Sequence, residues 1–368
     1  MEIKIYKKHW ELEDVFTASY GEIKGGANIY IQLIDDDGFC GWGEAAPLPT
    51  EKKGTGVLYS NSFERVLSDL MYLADKQLSS KDISFETLKI FHKEFGHLSP
   101  EAVCAMDLAI CDLLSRRKKI PVIELFENKN KNIDSTFSFS IGSTDSVTIR
   151  QQTEKAVEWG IIKYKISNNI NLIPWDLLSG KTLIFDFDGV YNDFNKFKKE
   201  IIESIPNISH RQIILEEPFH FTDDNKELAK LFDFMEDKNN VSIIFDDSVD
   251  TIEDVLKINS VFPKAGFNIK LQKMGGLYPS VEIIKNLRES NVLMFGSLYE
   301  TSLSISAAAQ LKYILSTSID DLDADIYTGI DEKSPTITPE GRFVKSQTGI
   351  GYEPNISNLE EIKKHESR

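Results

Sequence analysis

From about residue 131 to residue 330, the sequence alternates short apolar runs with amphipathic helical stretches. Helical patterns such as "NKELAKLFDFMED" and "YPSVEIIKNLRES" separate runs with the β-branched and aromatic composition of strands. These strand-like runs are "TFSFSIG", "GIIKYKIS", "TLIFDFDG", "QIILEEPF", "VSIIFDDS", "GFNIKLQK", "VLMFGSLYE" and a weaker "IDDLDADIY". Strands that alternate with helices form parallel βαβ units, which predicts either a (β/α) barrel or a doubly wound sheet.

Residues 1–130 have a different pattern, which predicts a separate α+β domain. The strand-like runs "ANIYIQLID" and "GFCGWGEA" flank "DDDG", a hairpin turn signal. From about residue 60 to residue 118 the periodicity becomes helical, as in "SPEAVCAMDLAICDLLSRR". Residues 331–368 are too few for a domain, and we expect them to pack back on the N-terminal domain.

Composition excludes several classes of partner. The 368 residues carry a formal net charge of −16, which disfavours nucleic acid. No apolar run is long enough for a membrane span, and the charged N-terminus lacks the apolar core of a signal peptide. The three cysteines (Cys40, Cys104 and Cys111) form no disulfide or metal pattern. We therefore expect a cytoplasmic protein with a small-molecule substrate and no nucleic-acid or membrane partner.

Ionisable residues occur at the carboxyl ends of seven consecutive predicted barrel strands, where barrel enzymes build their sites. In "GIIKYKIS" the two lysines are two positions apart, so their side chains point to the same face of the strand. In chain order, the candidate residues are Lys163, Lys165, Asp186, Glu216, Asp246, Lys270, Ser297, Glu300, Asp321 and Asp323.

Three of these residues are carboxylates on adjacent strands, about 30 residues apart: Asp186, Glu216 and Asp246. Converging anions are costly to bury unless a cation neutralises them, and a set of oxygen ligands favours Mg²⁺ over zinc. Lys165 and Lys270 would lie on opposite sides of this trio. Two bases on opposite faces of a substrate can invert a carbon acid α to a carboxylate, provided that a lysine pKa falls below its ordinary value of about 10.4.

An alternative is a phosphatase of the haloacid-dehalogenase type. The run "LIFDFDGVYND" resembles the first motif of that family, with Asp186 as nucleophile and Asp188 as acid/base. That family places its lysine before the later pair of aspartates, whereas Lys270 follows "IIFDDS" here. The alternative also leaves about 180 upstream residues without a role.

The motifs taken together resemble the enolase superfamily, in its muconate-lactonizing-enzyme-like subgroup. They are "GFCGWGEAAPLP", "KYK", "FDFDG" where D-x-N-G is usual, "LEEP", "FDDS" where D-E-S is usual, "NIKLQKMGGL", "GSLYETS" and "GIGYEP". The resemblance implies a (β/α)₇β TIM-type barrel with an N-terminal α+β capping domain. It also implies Asp186, Glu216 and Asp246 as Mg²⁺ ligands and Lys165 and Lys270 as the acid/base pair, with Lys163 holding the substrate carboxylate. Members are often oligomeric, which implies a homo-oligomer.

Within the subgroup, "DLDAD" resembles the D-x-D with which dipeptide epimerases bind a substrate ammonium, here Asp321 and Asp323. Ser297 and Glu300 are further expected substrate-binding residues. We therefore predict a Mg²⁺-dependent epimerase that acts through an enediolate on a dipeptide, for example of the Ala-Glu kind. The alternative on the same scaffold is o-succinylbenzoate synthase, a dehydratase. Two departures from the family pattern, "SNNIN" after "KYK" and "ADIY" after D-x-D, affect the predicted pocket.

Overall fold

The computed structural model describes residues 1–18, 21–48, 62–76, 83–126, 137–142, 145–166, 170–206, 212–287, 291–314, 319–328 and 348–366. Both predicted domain boundaries, near residues 130 and 330, lie outside these ranges. So do most of "TEKKGTGVLYSNS" and residues 167–169 after "KYK". Among the described residues, no helix is both long and apolar enough to cross a membrane.

An antiparallel sheet of four strands, in the order β12-β1-β2-β3, contains both ends of the described chain. The strand β12 pairs with β1, so the C-terminal residues return to the N-terminal sheet. The strands are β1 (Glu2–Ala18), β2 (Gly21–Ile34), β3 (Cys40–Ala45) and β12 (Glu360–Glu366). Three helices accompany this sheet: α1 (Phe63–Asp75), α2 (Phe85–Phe95) and α3 (Pro100–Lys118).

The motif "GWG" on β3 explains how α3 packs against this sheet. A Cβ atom on Gly43 would lie 1.8 Å from the Ala105 carbonyl oxygen, and one on Gly41 would lie 2.2 Å from that of Ala109. Only glycine allows the helix backbone to approach so closely. The same helix buries Cys104 and Cys111 completely, so both thiols belong to the core.

The second sheet contains eight parallel strands in the order β11-β10-β9-β8-β7-β6-β5-β4. A parallel bridge between Phe137 and Asp320 joins its two ends, as expected of a barrel. The predicted α/β barrel with an N-terminal α+β unit is confirmed, and the doubly wound alternative is wrong. The strands are β4 (Ser138–Ile141), β5 (Ile161–Lys165), β6 (Thr182–Asp186), β7 (Ile213–Glu216), β8 (Val241–Phe245), β9 (Gly266–Lys270), β10 (Leu293–Gly296) and β11 (Ile319–Asp321).

Helices and short 3₁₀ turns connect these strands. The helices are α4 (Ser146–Ala156), α5 (Phe194–Glu200), α6 (Lys226–Met235), α7 (Ile252–Val261), α8 (Leu271–Met274), α9 (Leu277–Asn286), α10 (Ser302–Ala309) and α11 (Ala324–Thr328). After β5, the described chain has only 3₁₀ turns, at Ile170–Leu172 and Trp175–Leu177, before β6 begins. The predicted strand "IDDLDADIY" ends at Asp321 and continues into α11.

A layer of apolar side chains closes the barrel interior below the strand ends. It consists of one residue from each of six strands: Ile161, Ile184, Ile214, Ile244, Met294 and Ile319. Because strand side chains alternate, the residue two positions further on each strand faces the same way. For five of these six strands that residue is one of Lys163, Asp186, Glu216, Asp246 and Asp321. The charged residues therefore lie next to this apolar layer, on the side of the carboxyl ends of the strands.

Candidate active site

The strand register aligns the first part of the site. Lys165 on β5 lies opposite Asp186 on β6, which in turn lies opposite Glu216 on β7. Lys270 ends β9, four strands away from β5 in a sheet of eight, and is therefore on the far side of the barrel. The predicted residues of β5–β9 are thus brought together at one end of the barrel.

Lys163 is the centre of this cluster. Its Nζ atom lies 2.6 Å from Asp321 Oδ2, 2.8 Å from Glu216 Oε2 and 2.9 Å from Asp186 Oδ2. Only 4% of Lys163 is exposed. Burial opposes the charged form, but these three carboxylates outweigh it and raise the pKa of Lys163 well above its ordinary value. Lys163 is therefore an ammonium group paired with several carboxylates.

The two proposed proton-transfer lysines have different carboxylate partners. Lys165 Nζ lies 2.6 Å from Asp186 Oδ2 and 2.7 Å from Asp188 Oδ1. Lys270 Nζ lies 2.5 Å from Asp246 Oδ2. Burial would lower the pKa of Lys270, but the Asp246 carboxylate raises it overall. In the same pair, burial would raise the pKa of Asp246, while Lys270 and Lys273 lower it.

The three carboxylates are paired with lysines and not with one another. Across the described ranges, no group of three acidic, histidine or cysteine side chains is placed to hold a metal ion, and the nearest partners of this trio are lysine ammonium groups. Two buried oxygens, Asp186 Oδ2 and Glu216 Oε2, nevertheless receive no hydrogen bond of acceptable direction. Burial and the nearby Asp186 raise the pKa of Glu216 well above its ordinary value, although Lys163 opposes this. Buried, mutually repelling oxygen donors fit a hard cation such as Mg²⁺.

Asp321 and Asp323 are held by two serines of β4 that the sequence reasoning missed. Ser138 Oγ donates to Asp321 Oδ1 over 2.6 Å, and the Ser140 backbone N–H donates to Asp323 Oδ2 over 2.6 Å. Burial and the nearby Asp321 raise the pKa of Asp323 to about 7. The alternating serines in "TFSFSIG" were a usable signal, since both face the barrel interior.

A cavity opens between these groups. Ser297 lies at its edge and donates from Oγ to the Asp321 carbonyl oxygen over 3.2 Å. The Glu300 side chain does not line the cavity. It is buried and accepts the Leu298 N–H, and burial together with Glu44 raises its pKa to about 8. The lining residues are Ser140, Lys163, Lys165, Lys270, Ser297, Leu298, Tyr299, Asp321, Asp323 and Ala324.

The N-terminal sheet holds the wall of this cavity after β10. The buried Glu44 carboxylate accepts the backbone N–H groups of Thr301 over 2.8 Å and of Ser304 over 3.1 Å. Asn28 donates to the Tyr299 carbonyl oxygen over 2.9 Å, and the Trp10 ring stacks on Tyr299 at 5.3 Å. Residues of β1–β3 therefore fix the segment that follows Ser297.

No family model matches this chain. Among curated proteins, it is 29% identical over 269 residues to an L-Ala-D/L-amino acid epimerase from a Maribacter species, covering 71% of this chain and 76% of that protein. It is 28% identical over 320 residues to an L-Ala-D/L-Glu epimerase from Francisella tularensis subsp. novicida (84% and 86% covered). It is also 23% identical over 373 residues to an o-succinylbenzoate synthase from Enterococcus faecalis (97% and 96% covered).

Among solved structures, the dipeptide epimerase from Cytophaga hutchinsonii complexed with Mg and the dipeptide D-Ala-L-Val has the same fold. Its TM-score is 0.80 at 18% sequence identity, with 98% of both chains covered. In sequence and in fold, the chain therefore resembles dipeptide epimerases and other members of the enolase superfamily. Its named relatives are mainly epimerases and racemases, which are isomerases, in agreement with the sequence prediction.

Proposed function

We propose that this protein is a Mg²⁺-dependent epimerase that inverts the α-carbon of the C-terminal residue of a dipeptide. One observation carries the proposal: Lys165 and Lys270 come from strands on opposite sides of the barrel and line the same cavity. A substrate held between them presents one face of its α-carbon to each lysine. This is the arrangement that an inversion by two bases requires.

Asp186, Glu216 and Asp246 would hold the metal ion. Mg²⁺ bound there would supply positive charge beside the substrate carboxylate, and it would replace the lysines as the counter-charge of these three carboxylates. Support for this assignment comes from Asp186 Oδ2 and Glu216 Oε2, two buried oxygens whose lysine neighbours form ion pairs but no well-directed hydrogen bond with them, and from the Mg present in the Cytophaga structure.

The lysines would transfer the proton. Pairing with Asp246 raises the pKa of Lys270, so a lysine can act as a base only when its carboxylate partner is bound to another cation. The neutral lysine on one face would then remove the α-proton, and the ammonium group of the lysine on the other face would return a proton to the resulting enediolate. Their roles exchange when the opposite epimer is the substrate. Lys163, already bound by carboxylates, would supply an ammonium group for the substrate carboxylate.

Asp321 and Asp323 would bind the substrate's α-ammonium group. Asp323 lines the cavity, and two hydrogen bonds from Ser140 fix its carboxylate there. A pair of carboxylates is a suitable receptor for an ammonium ion. Ser297 lies beside them, whereas a contact between Glu300 and substrate remains a prediction that its buried position does not support.

The o-succinylbenzoate synthase reaction is the second candidate, because the Enterococcus relative spans nearly the whole chain. In that reaction Lys165 would be the working base, and Lys270 would stabilise charge. The two aspartates in the cavity favour a cationic substrate and so favour the epimerase. The phosphatase alternative loses its support, because the superfamily resemblance accounts for nearly the whole chain.

Incubation of the enzyme with Mg²⁺ and a dipeptide library in D₂O tests the proposal. We expect mass spectrometry to show one deuterium incorporated into the C-terminal residue of a subset of dipeptides. Absence of exchange with every dipeptide, together with turnover of the synthase substrate, would establish the second candidate instead. Phosphate release that Asp186→Asn abolishes would reinstate the phosphatase.

A further inference from the structure

Charged side chains hold the backbone of Asp246 on both sides. Its N–H donates to Glu217 Oε2 over 2.8 Å, and its carbonyl oxygen accepts from Lys273 Nζ over 2.6 Å. Glu217 is completely buried, and Lys273 is 5% exposed. Both belong to motifs that the proposed function leaves unused, the second glutamate of "LEEP" and the second lysine of "NIKLQK".

Glu217 reaches Asp246 through an unusual backbone conformation. Its φ angle is +41°, a region that residues with a Cβ atom rarely adopt. The conformation is held by its N–H, which donates to the Ile244 carbonyl oxygen over 2.8 Å, and by its own carbonyl oxygen, which accepts the Gly189 N–H over 2.7 Å. Consecutive glutamates thereby serve different partners, since Glu216 faces Lys163 and Glu217 faces the segment after β8.

The Glu217 carboxylate is itself fixed. His220 Nδ1 lies 3.1 Å from Oε1, and the Ser248 hydroxyl donates to the same oxygen. The Phe221 N–H in turn donates to Ser248 Oγ over 2.8 Å. Glu217 is therefore a rigid acceptor that ties the loop after β7 to the loop after β8.

Lys273 holds the other side of the peptide. Besides the carbonyl contact, its Nζ atom lies 3.5 Å from Asp246 Oδ1 and 3.1 Å from Asp250 Oδ1. The Asp246 carbonyl oxygen also accepts the Val249 N–H over 3.0 Å. Asp246 follows the last residue of β8. These side-chain contacts therefore hold its backbone where the hydrogen bonds between neighbouring strands have ended.

We infer that Glu217 and Lys273 are positioning residues that fix Asp246, and with it the third carboxylate of the proposed metal site. The inference rests on the proposed function for the role of Asp246 as a metal ligand. Hydrogen bonds to charged groups are stronger than those between neutral groups, so this pair restrains the Asp246 backbone more than ordinary loop contacts do. Loss of a residue that orients a metal ligand typically lowers metal affinity by about 10–100-fold.

The test compares Glu217→Ala with Asp112→Ala. Asp112 is a matched control, because it is equally buried and accepts the backbone N–H groups of Trp42 and Ile350 outside the barrel mouth. We expect isothermal titration with Mg²⁺ alone to show affinity reduced by about 10–100-fold in Glu217→Ala, nearly restored in Glu217→Gln, and unchanged in Asp112→Ala. Lys273→Met should resemble Glu217→Ala.

A second readout does not depend on the metal. Without Mg²⁺, amide hydrogen exchange of residues 244–250 should be faster in Glu217→Ala than in wild type, and unchanged in Asp112→Ala. Should wild type bind no Mg²⁺, the proposed function fails, and this exchange alone decides the inference. Two results would overturn the inference. The first is equal exchange of residues 244–250 in wild type and all variants. The second is a Mg²⁺ affinity of Glu217→Ala within twofold of wild type, when Glu217→Ala and Asp112→Ala lose similar thermal stability. If Glu217→Ala does not fold, Lys273→Met serves in its place.

Discussion

The barrel mouth has two halves that are built differently. In the lysine–carboxylate half, formed by β5–β9, charged side chains from successive strand ends are paired with one another, as Lys270 is with Asp246. In the serine–aspartate half, formed by β4, β10 and β11, serine donors also hold the acidic groups, although Asp321 is paired with Lys163 as well. Ser138, for example, binds Asp321 from 183 residues away in sequence.

In the proposed function, the first half would transfer the proton and the second half would bind the substrate's ammonium group. The lysine–carboxylate half is built from the barrel itself, that is, from residues at the strand ends and in the segments that follow them. The serine–aspartate half depends also on the N-terminal sheet, since Glu44 and Asn28 fix the segment after Ser297. Changes in the first half should therefore abolish the reaction, while changes in the second should alter which substrate is bound.

The largest effects are expected from the two lysines. Lys165→Ala and Lys270→Ala should each reduce epimerisation by at least about 10³-fold, because each removes the acid or base for one face. Each variant should still exchange the α-proton of the one epimer that faces the remaining lysine. Proton NMR in D₂O with each epimer separately measures this, with the exposed Lys257→Ala as a control. Normal epimerisation by Lys270→Ala would disprove the two-base mechanism.

Removal of the metal ion should have an effect nearly as large. Chelation should reduce activity by roughly 10²–10³-fold, because Asp186, Glu216 and Asp246 would then hold no cation beside the substrate carboxylate. Added Mg²⁺ should restore the activity. Asp186→Asn and Glu216→Gln should weaken Mg²⁺ binding in a calorimetric titration. Full activity after exhaustive chelation would show that these carboxylates serve only as partners of the lysines.

A smaller effect is expected in the serine–aspartate half. Asp323→Asn should raise KM for dipeptides by about 30–100-fold with a lesser change in kcat, because loss of one member of a desolvated charge pair costs about 2 kcal/mol or more. Asp325→Asn, which changes a neighbouring carboxylate bound to Ser302, is the control. Steady-state kinetics with free and N-acylated dipeptides should show a loss for the free substrates only. Equal losses for both would argue against ammonium binding.

The smallest predicted effect concerns stability. Since the pKa of Glu300 in the folded protein is raised to about 8, its protonated form contributes stability that is complete below the ordinary pKa of about 4.5 and is lost as pH rises toward 8. Glu300→Gln should therefore stabilise the protein relative to wild type by roughly 1–2 kcal/mol at pH 9 but not at pH 4.5. Urea unfolding at both pH values measures this, with Glu282→Gln, a change at a partly exposed glutamate, as the control. Equal shifts at both pH values would contradict it.

The sequence predicted the lysine–carboxylate half well, because the two-residue period of strands and the length of a βα unit determine where Lys163, Lys165 and Asp186 point. It did not predict Ser138 and Ser140, whose partners are about 180 residues away and become neighbours only when the first and last strands meet. Glu300 was expected at the substrate, but its carboxylate bends back to the Leu298 N–H. Glu217 depends on a positive φ angle, which no side-chain pattern indicates.

In the proposed function, two lysines on opposite faces of one cavity interconvert two epimers. The most direct measurement follows a single dipeptide, such as L-Ala-L-Glu, with Mg²⁺ in D₂O by NMR. The α-proton signal of the C-terminal residue should be lost while the opposite epimer appears with deuterium at that carbon. Exchange that never yields the opposite epimer, for any dipeptide that exchanges, would contradict it.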